Sequence, residues 1–228
     1  MGSSALKLSS GKTAATTLTE QLWGIDWRSI FPRFLSESVR VEIRSYQEAA
    51  PLIADLFPDV YLVDGQSPFG EKKAEFKQRY YEMTGDFFVF LDSQKGDKVA
   101  GMAIGTVLDW SSYNFRNIAI APEYQESGLY FRFFEILSEI LQKHGVARIE
   151  GDVAPTNRHH IHVLNKMGYV VTAMSFSERW GVLLHIAKYL DQTEEERFTK
   201  LFSMTANSDL KGNQRAHQAK AKARSRGT

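Results

Sequence analysis

The residues best suited to chemistry lie where a predicted strand is followed by a predicted helix. The strand Asn114–Ala121 ends at Pro122, a short loop follows, and an amphipathic helix is expected over Ser127–His144. The first backbone N–H groups of a helix have no intrahelical acceptor, and they lie at the positive end of the helix dipole. Gly128 lets the main chain approach a ligand closely. The pattern predicts a phosphate or pyrophosphate site, although many helices begin this way without binding anything.

Two sequence blocks extend this pattern. The loop reads Pro-Glu-Tyr-Gln-Glu-Ser-Gly-Leu-Tyr over 122–130, and a second block runs from Asn157 to Gly168 and Tyr169. In these blocks the chain resembles the GNAT superfamily of N-acetyltransferases, which carries Arg/Gln-x-x-Gly-x-Gly/Ala after its fourth strand and an asparagine-containing block further on. The resemblance covers 39–190 and is strongest over 114–171.

The resemblance implies how a cofactor is held. The family binds the CoA pyrophosphate with main-chain N–H groups of the loop, which here are those of Gln125, Glu126, Ser127, Gly128, Leu129 and Tyr130. The pantetheine arm is expected beside Ile118 and Ile120, because a strand edge offers N–H and C=O groups to an amide-bearing arm. Asn157 matches a polar contact to the cofactor, and it also fits the N-cap of the next helix. The expected co-substrate is acetyl-CoA or another acyl-CoA, with no metal.

The chain departs from the family pattern at two positions. Tyr130 stands where glycine or alanine is usual, so its ring must turn away from the loop. The tyrosine that often protonates the departing thiolate falls at Leu164, which cannot donate a proton. His160, one helical turn earlier, is a candidate for proton transfer, and a neutral imidazole near a helix N-terminus is better suited to act as a base than as an acid. The alternative is that His160 and its neighbours have surface or helix-cap roles.

Two carboxylates are candidates for the general base. Glu150 and Asp152 alternate with apolar residues on the predicted strand Ala147–Val153, so both point to one face of the sheet. Either could deprotonate an ammonium group directly or through water. An exposed or ion-paired role is the alternative for both residues.

The elements that must position these residues follow from hydrophobic periodicity. We predict a mixed α/β fold, with a mostly antiparallel central sheet flanked by helices. The predicted strands are 39–45, 86–92, 98–108, 114–121, 147–153, 169–177 and 182–187, and the predicted helices are 46–57, 71–84, 127–144, 157–167 and 193–202.

Composition indicates how the chain is organised. We expect a disordered segment over 1–17, an N-terminal helical segment over 18–38, a GNAT-like domain over 39–205 and a basic disordered tail over 206–228. The tail holds six basic side chains and no acid over 211–228, so the rest of the chain carries −5 against a total of +1. The tail is either a solvated end or a weak contact for a polyanion.

The location and partners of the chain are predicted only in outline. The chain has no cysteine, no apolar run long enough to cross a membrane and no apolar signal core, which fits a cytoplasmic protein without membrane contact. A homodimer is the expected oligomer by base rate.

The leading functional hypothesis is an acyl-CoA-dependent N-acyltransferase. It would move an acetyl group from acetyl-CoA to a primary amine by direct attack, with the acceptor near the helical region 46–84, the loop around 110–113 and the hairpin 177–182. The donor could instead carry a longer acyl chain, or be bound to a carrier protein. The alternative is a catalytically silent GNAT-fold protein that binds CoA as a sensor or serves as a protein-interaction module, which Leu164 favours.

Overall fold

The computed structural model describes residues 16–56, 74–177 and 180–201, which form two units, divided between Leu137 and Ser138. The expectations for 1–15, for the end of the helix predicted over 46–57 and for the basic tail lie outside the described residues. The predicted boundaries of the N-terminal segment, the domain and the tail stay predictions.

The N-terminal segment forms two short helices and a short strand. Helix α1 spans Leu18–Trp23 and is capped by the Thr17 side chain, and helix α2 spans Trp27–Ile30 and is capped by Asp26. Strand β1 is Arg33–Phe34. Four apolar side chains of the segment are buried, namely those of Ile25, Trp27, Phe31 and Leu35. The helical part of the segment is interrupted at Gly24, which has a φ of 65°.

Five antiparallel strands follow one another in space in the first unit, in the order β1-β2-β3-β4-β5. They are β2 Val39–Arg44, β3 Gly85–Asp92, β4 Lys98–Val107 and β5 Ser112–Ile120, with β1 at the edge. Every residue of β3 is buried. Both faces of β3 are covered: Phe87, Val89 and Leu91 belong to one buried cluster, whereas Phe88 and Phe90 pack on the ring of Phe133. Burial on both faces explains the run of apolar residues in β3.

Two helices lie between β2 and β3 in the described part of the chain, 16–56 and 74–177. They are α3 Tyr46–Leu56 and α4 Ala74–Thr84. Ala49, Ile53 and Tyr81 from these helices pack with Phe87, Val89 and Leu91 of β3 and with two residues of β4. The buried side chain near the end of α4 is thus Tyr81. The apolar residues of α4 that show helical spacing in the sequence, Phe76, Tyr80 and Met83, are exposed.

The second unit contains the remaining sheet strands and helices. Strands β6 Arg148–Val153, β7 Val170–Ser177 and β8 Gly181–Tyr189 pair antiparallel in the order β6-β8-β7. Helix α5, Leu129–Lys143, crosses the division between the units, helix α6 is Arg158–Lys166, and a further helix spans 192–201. The prediction of a mixed α/β fold with mostly antiparallel strands is confirmed, with boundaries that differ by a few residues.

Candidate functional site

The loop between β5 and α5 has an unusual backbone conformation. After a single 3-10 turn at Pro122–Tyr124, Glu126 and Gly128 both adopt left-handed backbone angles, with φ of 61° and 81°. Helix α5 then begins at Leu129, two residues later than expected. A left-handed conformation is costly for a residue with a side chain, so Glu126 shows that the surrounding contacts impose the shape of this loop.

Three side-chain hydrogen bonds hold the loop. The Tyr124 hydroxyl donates to Asp92 Oδ2 over 2.9 Å in a buried environment, and Gln125 Nε2 donates to the carbonyl of Ile120 over 3.2 Å. Ser127 Oγ donates to the carbonyl of Tyr124 over 2.5 Å. The loop is therefore fixed to the end of β3 and to its own preceding turn before any ligand binds, which reduces the entropy cost of binding.

Asp92 is the anchor that the sequence alone did not identify. Burial acts to raise the pKa of this carboxyl, but the hydrogen bonds from Tyr124 and the Gln94 N–H and the charge of Lys95 lower it overall. The tyrosine in the Pro-Glu-Tyr turn was the available signal, because a buried phenol needs a hydrogen-bond partner.

The loop has the features of an anion site. Gln125, Glu126, Ser127 and Gly128 are exposed, whereas Leu129 is buried and anchors the start of the helix. A Cβ atom placed on Gly128 would meet no atom within 4 Å, so the space beside this residue is open to a ligand. The helix that follows is long enough to place a positive dipole end at Leu129.

Tyr130 fits the helix without blocking the loop. Its ring packs on Phe134, with a centroid distance of 4.7 Å, and on Phe131 at 6.1 Å. Burial raises the pKa of Tyr130 above its ordinary value. The bulky residue at the usual glycine or alanine position is thus accommodated by aromatic packing along α5.

Strand β5 carries a bulge beside the predicted pantetheine positions. Asn117 pairs with Ile104 but Phe115 pairs with Gly105, so Arg116 is the extra residue of β5. Ile118 and Ile120, on the loop side of the bulge, are half-buried and pair with Ala103 and Gly101. A bulge bends a strand and interrupts its ladder, and such features are over-represented next to active sites.

In the second unit, Asn157 and His160 lie at the start of α6. The Asn157 side chain accepts a hydrogen bond from the backbone N–H of His160 over 3.2 Å, so Asn157 is the N-cap. Burial, together with the charge of His159, lowers the pKa of His160, which favours a neutral imidazole near pH 7. Leu164 is buried and contributes an apolar side chain only.

The two carboxylates of β6 both have cationic or imidazole partners. Glu150 forms an ion pair with Arg148 two residues before it. Asp152 Oδ1 lies 2.5 Å from Nδ1 of His185, the residue opposite it on β8. Sequence reasoning missed His185, because it lies 33 positions away and only the strand register brings it to Asp152.

Other kinds of site find no support in the described part of the chain. Over residues 16–56, 74–177 and 180–201, no group of three or more histidine, aspartate or glutamate side chains is arranged to hold a metal ion. Within the same ranges, no helix has the length and apolar character needed to cross a bilayer.

Comparison with known protein families decides the affiliation of the chain. Residues 51–169, just over half of the chain, match the family model described as "Acetyltransferase (GNAT) family". The chain belongs to the GNAT acetyltransferase family. Enzymes of this family use acetyl-CoA. The matched range of this GNAT protein includes the loop, the bulged strand β5 and the Asn157 block.

Solved structures of other acetyltransferases share the fold of this GNAT protein. The spermidine/spermine N-acetyltransferase SpeG from Vibrio cholerae, solved in complex with manganese ions, has a TM-score of 0.54 and 15% identity, over 72% of this chain and 99% of that one. An IAA acetyltransferase from Bacillus cereus ATCC 14579 has a TM-score of 0.52 and 15% identity, over 67% of this chain and 99% of that one.

The match to nourseothricin acetyltransferase has a TM-score of 0.42 and 16% identity. It covers 47% of this chain and 66% of that protein, so this chain spans about two thirds of its length. No curated protein sequence is significantly similar to this GNAT protein.

The predicted site residues of this GNAT protein fall into two groups. Ile118, Ile120 and the loop residues Gln125–Tyr130 lie together in the first unit, where β5 leads into α5. Glu150, Asp152, Asn157 and His160 lie in the second unit, on β6 and at the start of α6.

Proposed function

We propose that this protein transfers an acetyl group from acetyl-CoA to a primary amine by direct attack. The observation that carries the proposal is the loop whose residues 125–128 are exposed, held in shape by Tyr124 and Asp92 and followed by the N-terminus of α5 at Leu129. Family membership supports acetyl-CoA as the donor, and the structural relatives that act on amines by name share the fold.

The donor half of the site is assigned to the loop and to β5. The main-chain N–H groups of Gln125, Glu126, Ser127, Gly128, Leu129 and Tyr130 are proposed to bind the pyrophosphate, with the pantetheine arm beside Ile118 and Ile120. The open space at Gly128 and the exposure of the loop fit an anion of this size. Asn157 is proposed to contact the cofactor through its side-chain NH2 group, because its Oδ1 atom caps the helix.

The chemical step needs a base for the incoming ammonium group. Once the ammonium group has lost a proton to the base, its lone pair attacks the thioester carbonyl. The nitrogen then gives up a second proton, the carbon–sulfur bond breaks, and the CoA thiolate takes up a proton, leaving a neutral amide and free CoA. We assign the base to His185 with Asp152: because Nδ1–H donates to the Asp152 carboxylate, Nε2 is left to accept a proton. Glu150 is the weaker candidate for the base, since its carboxylate already forms an ion pair with Arg148.

His160 is proposed as a second proton carrier. Its pKa is lowered by burial and by His159, so it is neutral at physiological pH and accepts protons more readily than it donates them. It is the polar residue one turn before Leu164, the position where the family often has a tyrosine. The thiolate would then take its proton from water or from a histidine protonated earlier in the cycle.

One experiment tests the two halves of the proposal separately. Isothermal titration calorimetry with acetyl-CoA measures donor binding, and a thiol-release assay over a panel of primary amines measures transfer. We expect binding in the micromolar range and turnover on at least one amine. Tight binding without turnover on any amine would favour the sensor or interaction module, the function that Leu164 favours. An absence of acetyl-CoA binding would contradict both readings.

A glycine pair provides a matched test of the loop. Gly128 and Gly145 have nearly equal positive φ, 81° and 80°, both are exposed, and neither has an atom within 4 Å of an added Cβ. Gly128→Ala and Gly145→Ala should therefore cost similar strain, about 1–2 kcal/mol. Only Gly128→Ala is expected to weaken acetyl-CoA binding, by about tenfold, which corresponds to about 1.4 kcal/mol. Equal affinities in the two variants, measured by calorimetry, would remove the loop from the site.

Asn157 has two proposed roles that substitutions can separate. Asn157→Ala removes the helix cap and is expected to destabilise the fold by about 1 kcal/mol, whereas Asn157→Ser keeps a capping oxygen and costs little. If the amide also contacts the cofactor, both variants raise the KM for acetyl-CoA. Urea unfolding gives the first readout and steady-state kinetics the second. An unchanged KM in the serine variant would leave Asn157 with the structural role alone.

A further inference from the structure

Arg116 occupies the bulge of β5. It is the extra residue between Phe115 and Asn117, which pair with successive residues of β4. The guanidinium carbon of Arg116 lies 5.6 Å from the centre of the Tyr81 ring on α4. Because a bulge redirects a side chain and such features are over-represented next to active sites, the position of this charge calls for a functional explanation.

The two faces of β5 are covered by different elements. Phe115 packs on Phe134 of α5, with a centroid distance of 4.4 Å. Ala119 packs against the buried cluster that α3 and α4 form with the sheet, and this cluster includes Tyr81. Since the guanidinium lies over the Tyr81 ring, the Arg116 side chain belongs to the face of β5 that α3 and α4 cover.

The charge of Arg116 is not neutralised by the described part of the chain. Arg116 is exposed, and no carboxylate of residues 16–56, 74–177 and 180–201 lies within 4.0 Å of its guanidinium. Arg40, Arg44 and Arg148, by contrast, all form ion pairs with glutamates. The contact with the Tyr81 ring orients the guanidinium and leaves its N–H donors for an anion.

Arg116 also lies on the proposed path of the donor. The pantetheine arm is proposed to leave the loop 125–130 and to run beside Ile120 and then Ile118, toward the bulge. Arg116 comes next in this direction, about 13 Å from Ile120 at about 3.3 Å for each residue of strand. The acetyl end of the donor is then beside the bulge, and an attacking amine has to lie in contact with it.

We propose that Arg116 selects an acceptor amine that also carries an anionic group, a carboxylate or a phosphate. This inference rests on the proposed function, because it takes the loop and β5 as the donor site. The anionic group pairs with the guanidinium on the face of β5 that α3 and α4 cover, and the pairing holds the amine near the thioester. A purely cationic amine, such as a polyamine, is repelled by the same charge.

The test uses CoA thioethers, which cannot transfer a group to an amine. S-carboxymethyl-CoA and S-phosphonomethyl-CoA place an anion at the acetyl end of the donor, and S-carboxamidomethyl-CoA is the neutral compound of similar shape. Each compound is titrated into the full-length protein by calorimetry near neutral pH. We expect at least one anionic compound to bind about tenfold more tightly than the neutral amide, as a charge-assisted hydrogen bond allows.

Three variants assign this preference to Arg116. Arg116→Gln is expected to abolish the preference for the anionic compound, and Arg116→Lys to keep part of it, because lysine retains the charge without the planar fork of donors. Arg79→Gln is the matched control and should leave the preference unchanged. Arg79 is exposed on α4 two residues before Tyr81, about 200° around the helix from it. The affinity for the neutral amide shows whether each variant still folds and binds the donor.

Two results would overturn the inference and leave the proposed donor site intact. They are equal affinities for the anionic and neutral compounds, or a preference for the anion that remains in Arg116→Gln. If the glutamine variant does not fold, the lysine variant decides, since an undiminished preference there would count against the guanidinium. No binding of any of the three compounds would contradict the donor site itself, and with it both proposals.

The two anionic compounds distinguish the kind of acceptor. Tighter binding of the carboxymethyl compound indicates a carboxylate on the acceptor amine, and tighter binding of the phosphonomethyl compound indicates a phosphate. Either result supports the inference, provided that Arg116→Gln removes it.

Discussion

Replacing His185 by glutamine is expected to lower kcat for amine acetylation about 100-fold, at the lower end of what a general base contributes. His185 lies opposite Asp152 on β8, and the 2.5 Å contact between Nδ1 and Oδ1 fixes the ring so that Nε2 can accept a proton. Glutamine keeps a polar group of similar reach but cannot take up a proton. The KM for acetyl-CoA should change little, because the donor is proposed to bind at the loop.

Three further variants, Asp152→Asn, Glu150→Gln and His160→Ala, rank the candidates for the general base. Asp152→Asn should lower kcat less than His185→Gln, because the aspartate positions the imidazole and does not itself receive the proton. Glu150→Gln, on the same face of β6 but paired with Arg148, should leave kcat within a few-fold of the unmodified enzyme. Rates in stopped assays at saturating acetyl-CoA measure all three. A larger loss from Glu150→Gln or from His160→Ala would assign the base to that residue instead.

Much of the local structure was predictable because it follows short-range rules. Strand β2 was expected over 39–45 from its alternating apolar residues and is observed over Val39–Arg44. Helix α6 was expected over 157–167 and is observed over Arg158–Lys166, with Gly168 just beyond it at a φ of 84°. The loop after β5 was singled out by Pro122 and Gly128, since a tight turn before a helix uses proline and glycine.

The contacts that give these elements their chemistry were not predictable from the same rules. Thr19 and Asp86 are 67 positions apart and meet through a 2.6 Å hydrogen bond. Asp152 and His185 meet only because β6 and β8 pair in one register, and a shift of one residue would place them on opposite faces. Periodicity within an element gives its exposed and buried faces, but it does not give the partner strand or its register.

Helix α4 shows a limit of periodicity itself. Phe76, Tyr80 and Met83 have the spacing of a buried stripe, yet their exposed fractions are 69%, 47% and 63%. The core contact of α4 comes from Tyr81, which stacks on Tyr46 and packs on Phe87. Apolar residues can form one face of a helix without that face being the buried one, because only the neighbouring elements decide which side of the helix is covered.

Asp86 should make the stability of the fold depend on pH in an unusual direction. Burial raises its pKa to about 6, against the lowering effect of hydrogen bonds from Thr19 and Tyr113. The folded chain therefore binds this proton more tightly than the unfolded chain, whose carboxyl has an ordinary pKa of 3.8. The stabilising effect of protonation is complete below the unfolded value and is lost as the pH rises through the folded value. The full effect of this shift is about 3 kcal/mol, and about 2 kcal/mol of it is lost between pH 4 and pH 7.

Two substitutions at Asp86 isolate this effect from the rest of the chain. Asp86→Asn keeps an acceptor for the Thr19 and Tyr113 hydroxyls but cannot ionise. The free energy of unfolding of this variant, relative to that of the unmodified protein, should therefore rise by about 2 kcal/mol from pH 4 to pH 7. Asp86→Ala leaves both buried hydroxyls without their acceptor and should destabilise by about 3 kcal/mol at pH 4. Urea unfolding across this range measures both. Asp92→Asn is the control, since the pKa of Asp92 is lowered overall and its removal should shift the comparison in the opposite direction. A difference between Asp86→Asn and the unmodified chain that stays constant with pH would show that Asp86 does not titrate in the folded protein.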